Sequence, residues 1–477
     1  MSNLIATMST AAGALDAYSK LLDVVQNNVS NASTPGYASQ TGELVALQFD
    51  PSQGYSGGVS AGQVVSTRNE YAEQAVQQQT TLLGQAQQDV NSLTAIQSHF
   101  DVTGASGIAS ALNNLYQAFS AWGQSPTSAV ARQNVIGQAT AVATAFQQTA
   151  AGLSSEAQDN ARQLQQTVAD VNGMAKQLAA YNQQIMRGDR NDAGLDAQIH
   201  SALEQLSNDG EIAATPQSDG TWTVLLNGET PLVIGSTAYE LKAQPVAPGA
   251  TAANQNGPCH QSILAADGTD ITANTTSGQL GSLLNLANTV LPGYLGDGAR
   301  PGSLNVLAES FSSHVNDLLT QGYQSDGQTA GVPLFAYDGN NATNVAQSLT
   351  VTSITADELA AITAGPPEVS NGVALALSQL ADPTAAADEI GGSSYTQYYA
   401  GMAANAGALL DTADNLLQTQ QSAVAQAQNV RQQMSGVSLD EEATLLIKFQ
   451  RAYEANSKLI TVLDQLTEDT INILPTS

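Results

Sequence analysis

The sequence predicts a mainly α, multidomain fold with a β-rich insertion, and three observations carry that expectation. Both ends read as long helices with a narrow apolar seam. The tracts between them are helical and rich in Ala, Leu and Gln, and only from Glu211 does the period shorten to β-rich runs. A chain of 477 residues has room for several units, each with its own core.

The N-terminal helix comes first. Leu4, Met8, Ala11, Leu15, Tyr18, Leu22, Val25 and Val29 alternate steps of four and three. That 3.5-residue period keeps one seam on one side of a helix, as in coiled coils. The helix is expected to fray at Asn27 and Asn28 and to end by Thr34-Pro35-Gly36, because proline and the residue before it resist helix continuation. The last 40 residues mirror this pattern at Leu445, Phe449, Ala452, Asn456, Leu459, Leu463, Leu466, Thr470 and Ile473. Ser438 and Glu441 form an S-x-x-E capping box, and Asp440, Glu441 and Glu442 place negative charge at the positive end of the helix dipole. Matching seams on helices that are marginal alone predict that the two ends pair, with each other and with other subunits.

Between the ends, residues 42–67 read as loops and short strands. Helical spacing then covers 70–100, 108–122, 125–186 and 195–208. IAATP, TWTVLL, TPLVI and AYELKA are strands separated by the turn signals Ser-Asp-Gly, Asn-Gly and Gly-Ser. Further strands are expected at 262–266 and 270–275, helices at 278–290 and 304–323, and β structure again at 335–355, with SLTVTSIT the clearest run. Short helices at 357–362 and 373–380 precede a long helix over 395–434 with another seven-residue repeat. The predicted layout is nested. Residues 1–66 and 436–477 form a terminal helical unit, 67–210, 277–334 and 390–435 a helical-bundle middle, and 211–276 with 335–389 a β-rich outer part.

With 13 Lys and Arg against 42 Asp and Glu, the formal charge of −29 repels phosphate backbones and anionic membranes, so nucleic acid is not an expected partner. No apolar run approaches the roughly 18 to 20 residues that span a bilayer, so no membrane insertion is expected. No basic residue precedes Lys20, which does not fit a Sec signal peptide. The single cysteine, Cys259, excludes an internal disulfide framework.

Chemistry is hard to place on this chain. Two G-x-S-x-G matches, at 54–58 and 58–62, are followed by a strand-like run, whereas a nucleophile elbow needs a helix. His99, His200, His260 and His314 each lack a second histidine three or four residues away, and Cys259-His260 reads as a polar loop pair. GDGARP puts Pro301 where a dinucleotide fingerprint needs its third glycine. No catalytic, cofactor-binding or metal-binding residue is nominated, and no cofactor is expected.

The segment NNVSNASTPGYASQ, with Asn28, Asn31, Thr34, Gly36 and Tyr37 at the matching positions, resembles the turn signature of the flagellar rod, hook and hook-associated axial proteins. Near the other end, Gln450, Ala452, Tyr453 and Ala455 in SGVSLDEEATLLIKFQRAYEANSKLI are similar to the C-terminal counterpart. GGVSAGQVVSTRNEY, LYQAFSAWGQSPTSAVARQNVIGQA, SGQLGSLLNL and LNVLAESFSSHVNDLLTQGYQSDG further resemble the hook-associated protein 1 family, whose members join hook to filament. Pro35 in the turn and LDAQIHSALEQLS before the β insertion depart from the usual pattern. The resemblance implies paired terminal helices along the filament axis, a helical middle domain and an outward β domain. It implies as partners other copies of the chain in a helical ring, the hook protein, the second hook-associated junction protein and a flagellar export chaperone. It also implies export by the flagellar type III route without a cleaved signal, to a site outside the cell. The alternatives are hook protein itself or another axial subunit, which the long helical tract disfavours, and an axial-associated hydrolase, for which no paired carboxylates stand out.

Overall fold

The structure is a computed structural model that describes residues 2–50, 55–101, 106–190, 192–246, 260–363, 365 and 368–473. Gly54, Cys259 and the side chain of Ile473 lie outside the described residues. Helix α1 (Ser2–Asn31) leads into a long ribbon. In it β1 (Gln40–Ala46) pairs antiparallel with β4 (Val59–Ser66), and β2 (Phe49–Asp50) pairs with β3 (Tyr55–Ser56) at the tip. The helices α2 (Glu70–Gln97), α3 (Gly107–Gln124), α4 (Ala129–Arg187) and α5 (Ala193–Asp209) follow. Three of the four starts are chemically marked. Asn69 Oδ1 accepts from the Ala72 N–H at 3.0 Å, Ser128 Oγ from Ala131 at 3.3 Å, and Asp192 Oδ1 from Gly194 and Leu195.

At 59 residues, α4 is about 88 Å long, and it serves two cores in succession. Its N-terminal half buries Val135, Val142, Phe146 and Leu153 against Leu112, Phe119 and Trp122 of α3. This core also takes in α8 (Ser303–Thr320), where Phe311 packs edge-on against Tyr116 and Tyr395 at centroid distances of 6.3 and 5.4 Å. The C-terminal half of α4 buries Leu164, Val171, Leu178 and Ile185 against α5 and a β unit. Asn160, near the changeover, is buried and donates to the Leu283 carbonyl at 3.0 Å.

The β unit is an antiparallel sheet in the order β5 (Ile212–Pro216), β6 (Trp222–Leu226), β7 (Thr230–Ile234), β8 (Thr237–Ala238). Beside it stands the pair β9 (Lys242–Val246) and β10 (His260–Leu264). Two asparagines of α4 fasten it. Asn182 bonds both backbone groups of Trp222 and the Gly235 carbonyl, and Asn172 bonds both backbone groups of Leu241. Downstream, α6 (Gly278–Asn285) and α7 (Leu291–Leu295) are joined by a π-helical turn over Leu286–Val290, which aims Asn288 at the N–H and carbonyl of Gln261 on β10. The run at 270–275, expected as a strand, makes only a bridge at Asp270 and then a 3-10 turn. Asp270 Oδ1 accepts from both the Thr272 N–H and hydroxyl, a local bond that competes with the sheet.

The stretch 335–389 corrects the expected grouping. Among its described residues it holds only the two-residue strands β12 (Phe335–Ala336), β13 (Thr350–Val351) and β14 (Ile362–Thr363), with β14 pairing β11 (Gly322–Tyr323) and β12 pairing β13. Between and after them lie α9 (Val345–Ser348) and α10 (Gly372–Gln379). Its apolar residues Phe335, Val345, Leu349, Val373 and Leu377 are buried in the first core, with α3, α4 and α8. They share no core with residues 211–276, which pack in the second. SLTVTSIT alternates because it is laid across α4, where Leu349 is buried and Gln147 Nε2 holds its carbonyl at 2.8 Å, and not because it joins the sheet. Finally α11 (Tyr395–Ser435), capped by a Ser394–Gln397 box, runs back along α2, and α12 (Leu439–Ile473) returns to α1.

Candidate functional site

Helices α1 and α12 lie antiparallel: Asn28 meets Glu442, and the Tyr18 ring lies 6.3 Å from that of Phe449. Leu21, Val25 and Phe449 are buried between them, flanked by half-buried Tyr18, Leu22, Leu445 and Leu446. Leu463 is buried further along α12. Of the expected seam, Ala11, Val25, Phe449 and Leu463 are therefore buried within the chain, and Tyr18 and Leu445 partly so. The alternate layer is displaced. Ala14, Leu21 and Asn28 are buried where Leu15, Leu22 and Val29 were expected, and Leu4, Met8, Leu15 and Leu22 are half-buried. Val29, Leu459 and Leu466 are 44%, 45% and 47% exposed. Two causes act together. The ribbon β1–β4 packs on α1 from the other side, with Gly42 against Leu21 and Gly58 against Thr10, which draws the buried face around by one residue. On α12, which keeps the α-helical period along its whole length, the seam drifts from Asn456 to Ile460 where a strict 3.5 repeat would reach Leu459.

The turn after α1 is built around Asn28, which is 1% exposed. Its Nδ2 donates to Glu442 Oε1 at 2.7 Å and to the Gln40 carbonyl at 2.8 Å. Its Oδ1 accepts from the Tyr37 hydroxyl and the Gln40 N–H, both at 2.9 Å. This explains why α1 continues through the expected fraying point to Asn31: an amide so fully bonded holds the last turn in place. Asn31 in turn donates to the Asn27 carbonyl and accepts from the Thr34 hydroxyl. Burial, with the Glu442 carboxylate nearby, pushes the Tyr37 hydroxyl up to about 12. Burial also raises Glu442, against the opposing bond from Asn28, and its Oε2 has no partner among the described residues. Ser438 Oγ accepts from the Glu441 N–H at 3.4 Å at the head of α12.

Gly36 has φ +74°, and a Cβ there would stand 2.4 Å from the Ala197 carbonyl of α5, so glycine is required on both counts. Its carbonyl accepts from Arg68 Nη2 at 2.7 Å. Arg68 also bonds Glu73 of α2 at 2.5 Å and Asp196 of α5 at 2.6 Å, and its side chain is 5% exposed. Glu73 reaches on to Arg431 of α11 at 3.2 Å, and Arg431 to Glu204 of α5 at 2.6 Å. None of these five charged residues was nominated from the sequence. The available signal was scarcity: a chain with 13 Lys and Arg commits two of them, Arg68 and Arg431, to this one node.

The other sequence candidates stay apart. Ser60 sits in β4, paired with Val45, and Ser56 in β3, so no nucleophile turn forms around either. The histidines are dispersed, His99 beside Glu156, His200 beside Asp196, His260 beside Asp297 and His314 beside Asp388. Among the described residues no group of three His, Cys, Asp or Glu could hold a metal ion, and no helix is long and apolar enough to cross a membrane.

Comparison with known proteins gives three segmental matches. Residues 93–335 match the flagellar hook-associated protein FlgK helical domain, 8–37 the flagella basal body rod protein, and 431–473 the C-terminal part of the flagellar basal body rod FlgEFG proteins. Flagellar hook-associated protein 1 of Bacillus subtilis is 26% identical over 99% of both chains, and that of Escherichia coli 24% identical over 99% of this chain and all of the other. The solved flagellar hook junction protein FlgK of Burkholderia pseudomallei superposes with a TM-score of 0.63 at 16% identity, over 75% of this chain and 99% of its own, which is a likeness of fold.

Proposed function

The chain belongs to the flagellar hook-associated protein FlgK family, and from that premise we propose that it joins hook to filament as a structural subunit assembling through its terminal helix pair. The observation that carries the assembly role is the second apolar flank of that pair. Leu15, Leu22 and Val29 on α1 and Leu459 and Leu466 on α12 are left half-buried or exposed by intrachain packing. Such a flank is complete only when a neighbouring subunit covers it, and repeated like-to-like contact of this kind generates a helical array. Residues 1–66 and 436–477 then act as the assembling unit and 67–435 as the body it carries. Further copies of the chain, the hook protein and the second hook-associated protein are its partners in the flagellum. An export chaperone and the flagellar type III route serve it on the way there. No reaction is assigned to it.

The test is the double variant Leu459→Asp/Leu466→Asp, which puts two carboxylates on the outward flank without touching Phe449 or Leu463. Secreted protein is measured in the medium, and hook tips are inspected by immunoelectron microscopy. The expected outcome is normal secretion and an unchanged melting temperature with bare hook tips and lost motility. Wild-type capping by the secreted double variant would end this reading.

A further inference from the structure

The chain passes between the terminal unit and the body twice, at residues 66–70 and 435–439, and the two crossings are bonded to each other. The Ser39 N–H donates to the Ser435 carbonyl and the Thr67 N–H to the Ser39 carbonyl, both at 2.8 Å; the Asn69 N–H donates to Ser435 Oγ at 2.9 Å. Directly beside them lies the chain of charges Asp196–Arg68–Glu73–Arg431–Glu204, which takes residues from the start of α2, from α5 and from the end of α11, and holds the Gly36 carbonyl of the turn after α1. Glu73 is 4% exposed and bridges two guanidinium groups.

We propose that Arg68, Glu73 and Arg431 are positioning residues that lock the angle between the terminal helix pair and the body. The apolar contact there does not suffice for this. Leu21, Val25 and Phe449 hold α1 to α12, but neither helix contributes to the two large cores. A planar guanidinium that must satisfy Gly36, Glu73 and Asp196 together accepts one arrangement of three elements. A buried ion pair adds little net stability, since desolvation offsets its attraction, and its best-attested use is to select one geometry. In a ring of identical subunits the same angle recurs in every copy. The inference therefore bears on the assembly reading above, while the lock itself is a property of the isolated chain.

The experiment uses the full-length chain in a Cys259→Ser background, with spin labels at Ser457→Cys on α12 and Gln166→Cys on α4. Pulsed dipolar spectroscopy on dilute monomer should give one narrow distance distribution. Arg68→Gln and Arg431→Gln should each keep the near-UV circular dichroism of the body and lose that single maximum, and Arg68→Lys should not restore it, because an ammonium lacks the fork. Hook-tip occupancy should fall about tenfold in each, as a cost of about 1.4 kcal/mol in the docked geometry implies. A narrow wild-type distribution in either folded variant overturns the proposal, as does loss of the body's fold in both, which would make the node part of the general core. The distance measurement needs no flagellum. A rigid elbow with failed assembly elsewhere and a loose elbow with intact assembly are thus distinguishable, and the first leaves the lock standing.

Discussion

The two ends and the middle of this chain are built from the same helical pattern and spend it differently. In the body, α3, α4 and α8 enclose Trp122, Phe119, Phe146 and Phe311, all with no exposed surface, within one large core. In the terminal pair, two helices of 30 and 35 residues share a small apolar cluster of Leu21, Val25 and Phe449, and a second stripe is left facing outward. The lesson is that an apolar period states that a face will be covered and not by what. The wide stripe of α3 and the narrow seam of α12 are the sequence-level difference between a face covered by its own chain and one reserved for another.

The contrast breaks most directly in the body. Phe311→Ala empties the aromatic cluster with Tyr116, Phe335 and Tyr395, and about 3–5 kcal/mol should be lost, seen as a large fall in the main thermal transition. If that transition instead follows substitutions in α12, the body is not the independently stable part.

A smaller effect sharpens the comparison through pH. Asp209, buried at the end of α5, is pushed from 3.8 up to about 7 chiefly by burial, with Asp170 adding to it against a bond from Asn208. A carboxyl raised in the fold is better tolerated protonated. Its contribution to stability is fully present below about pH 4 and is lost as pH rises through 7. Asp209→Asn should therefore raise the main melting transition at pH 8, by an amount on the order of 2 kcal/mol, and leave it unchanged at pH 4. Calorimetry at the two values decides, and an equal gain at both would remove titration as the cause.

The smallest effect on the global melt is expected at Asn28. Asn28→Ala leaves the Glu442 carboxylate, the Tyr37 hydroxyl and the Gln40 N–H without their shared partner, a local cost of about 1–3 kcal/mol. The main transition should stay where it is, while amide exchange in α1 and the first turns of α12 accelerates by at least about fivefold. An equal acceleration in α4 would show that the ends are part of one cooperative body.

Much of the fold was legible because apolar periodicity placed the helices, and in the structure several of their starts carry a matching chemistry. Asn69, Ser128, Asp192 and Ser394 each cap a helix that periodicity had already placed. The β unit was legible from its turns, Asn227 being the one described non-glycine residue with positive φ, at an Asn-Gly turn. The register of the terminal seam was not, since a ribbon of separate origin decides which side of α1 is inside. Nor was the fate of 335–389, whose alternation fits a strand in a sheet and a segment laid on α4 equally well. The charge node was invisible for a simpler reason. Glu73 and Arg431 are separated by 358 residues, and nothing local marks one as meeting the other.

The pairing of Asn28 with Glu442 spans 414 residues, and every contact of the terminal pair closes a loop of comparable size. Such contacts form last, because the entropy of closing the loop has to be met before they return anything, whereas the turns between α2, α3 and α4 are short. The body thus acts as the template on which the two ends first find each other. Until residue 442 has been made, α1 is a helix without its mate, and a chain cut short between α11 and α12 has a finished body and nothing to bind with. Competence to assemble therefore waits on α12.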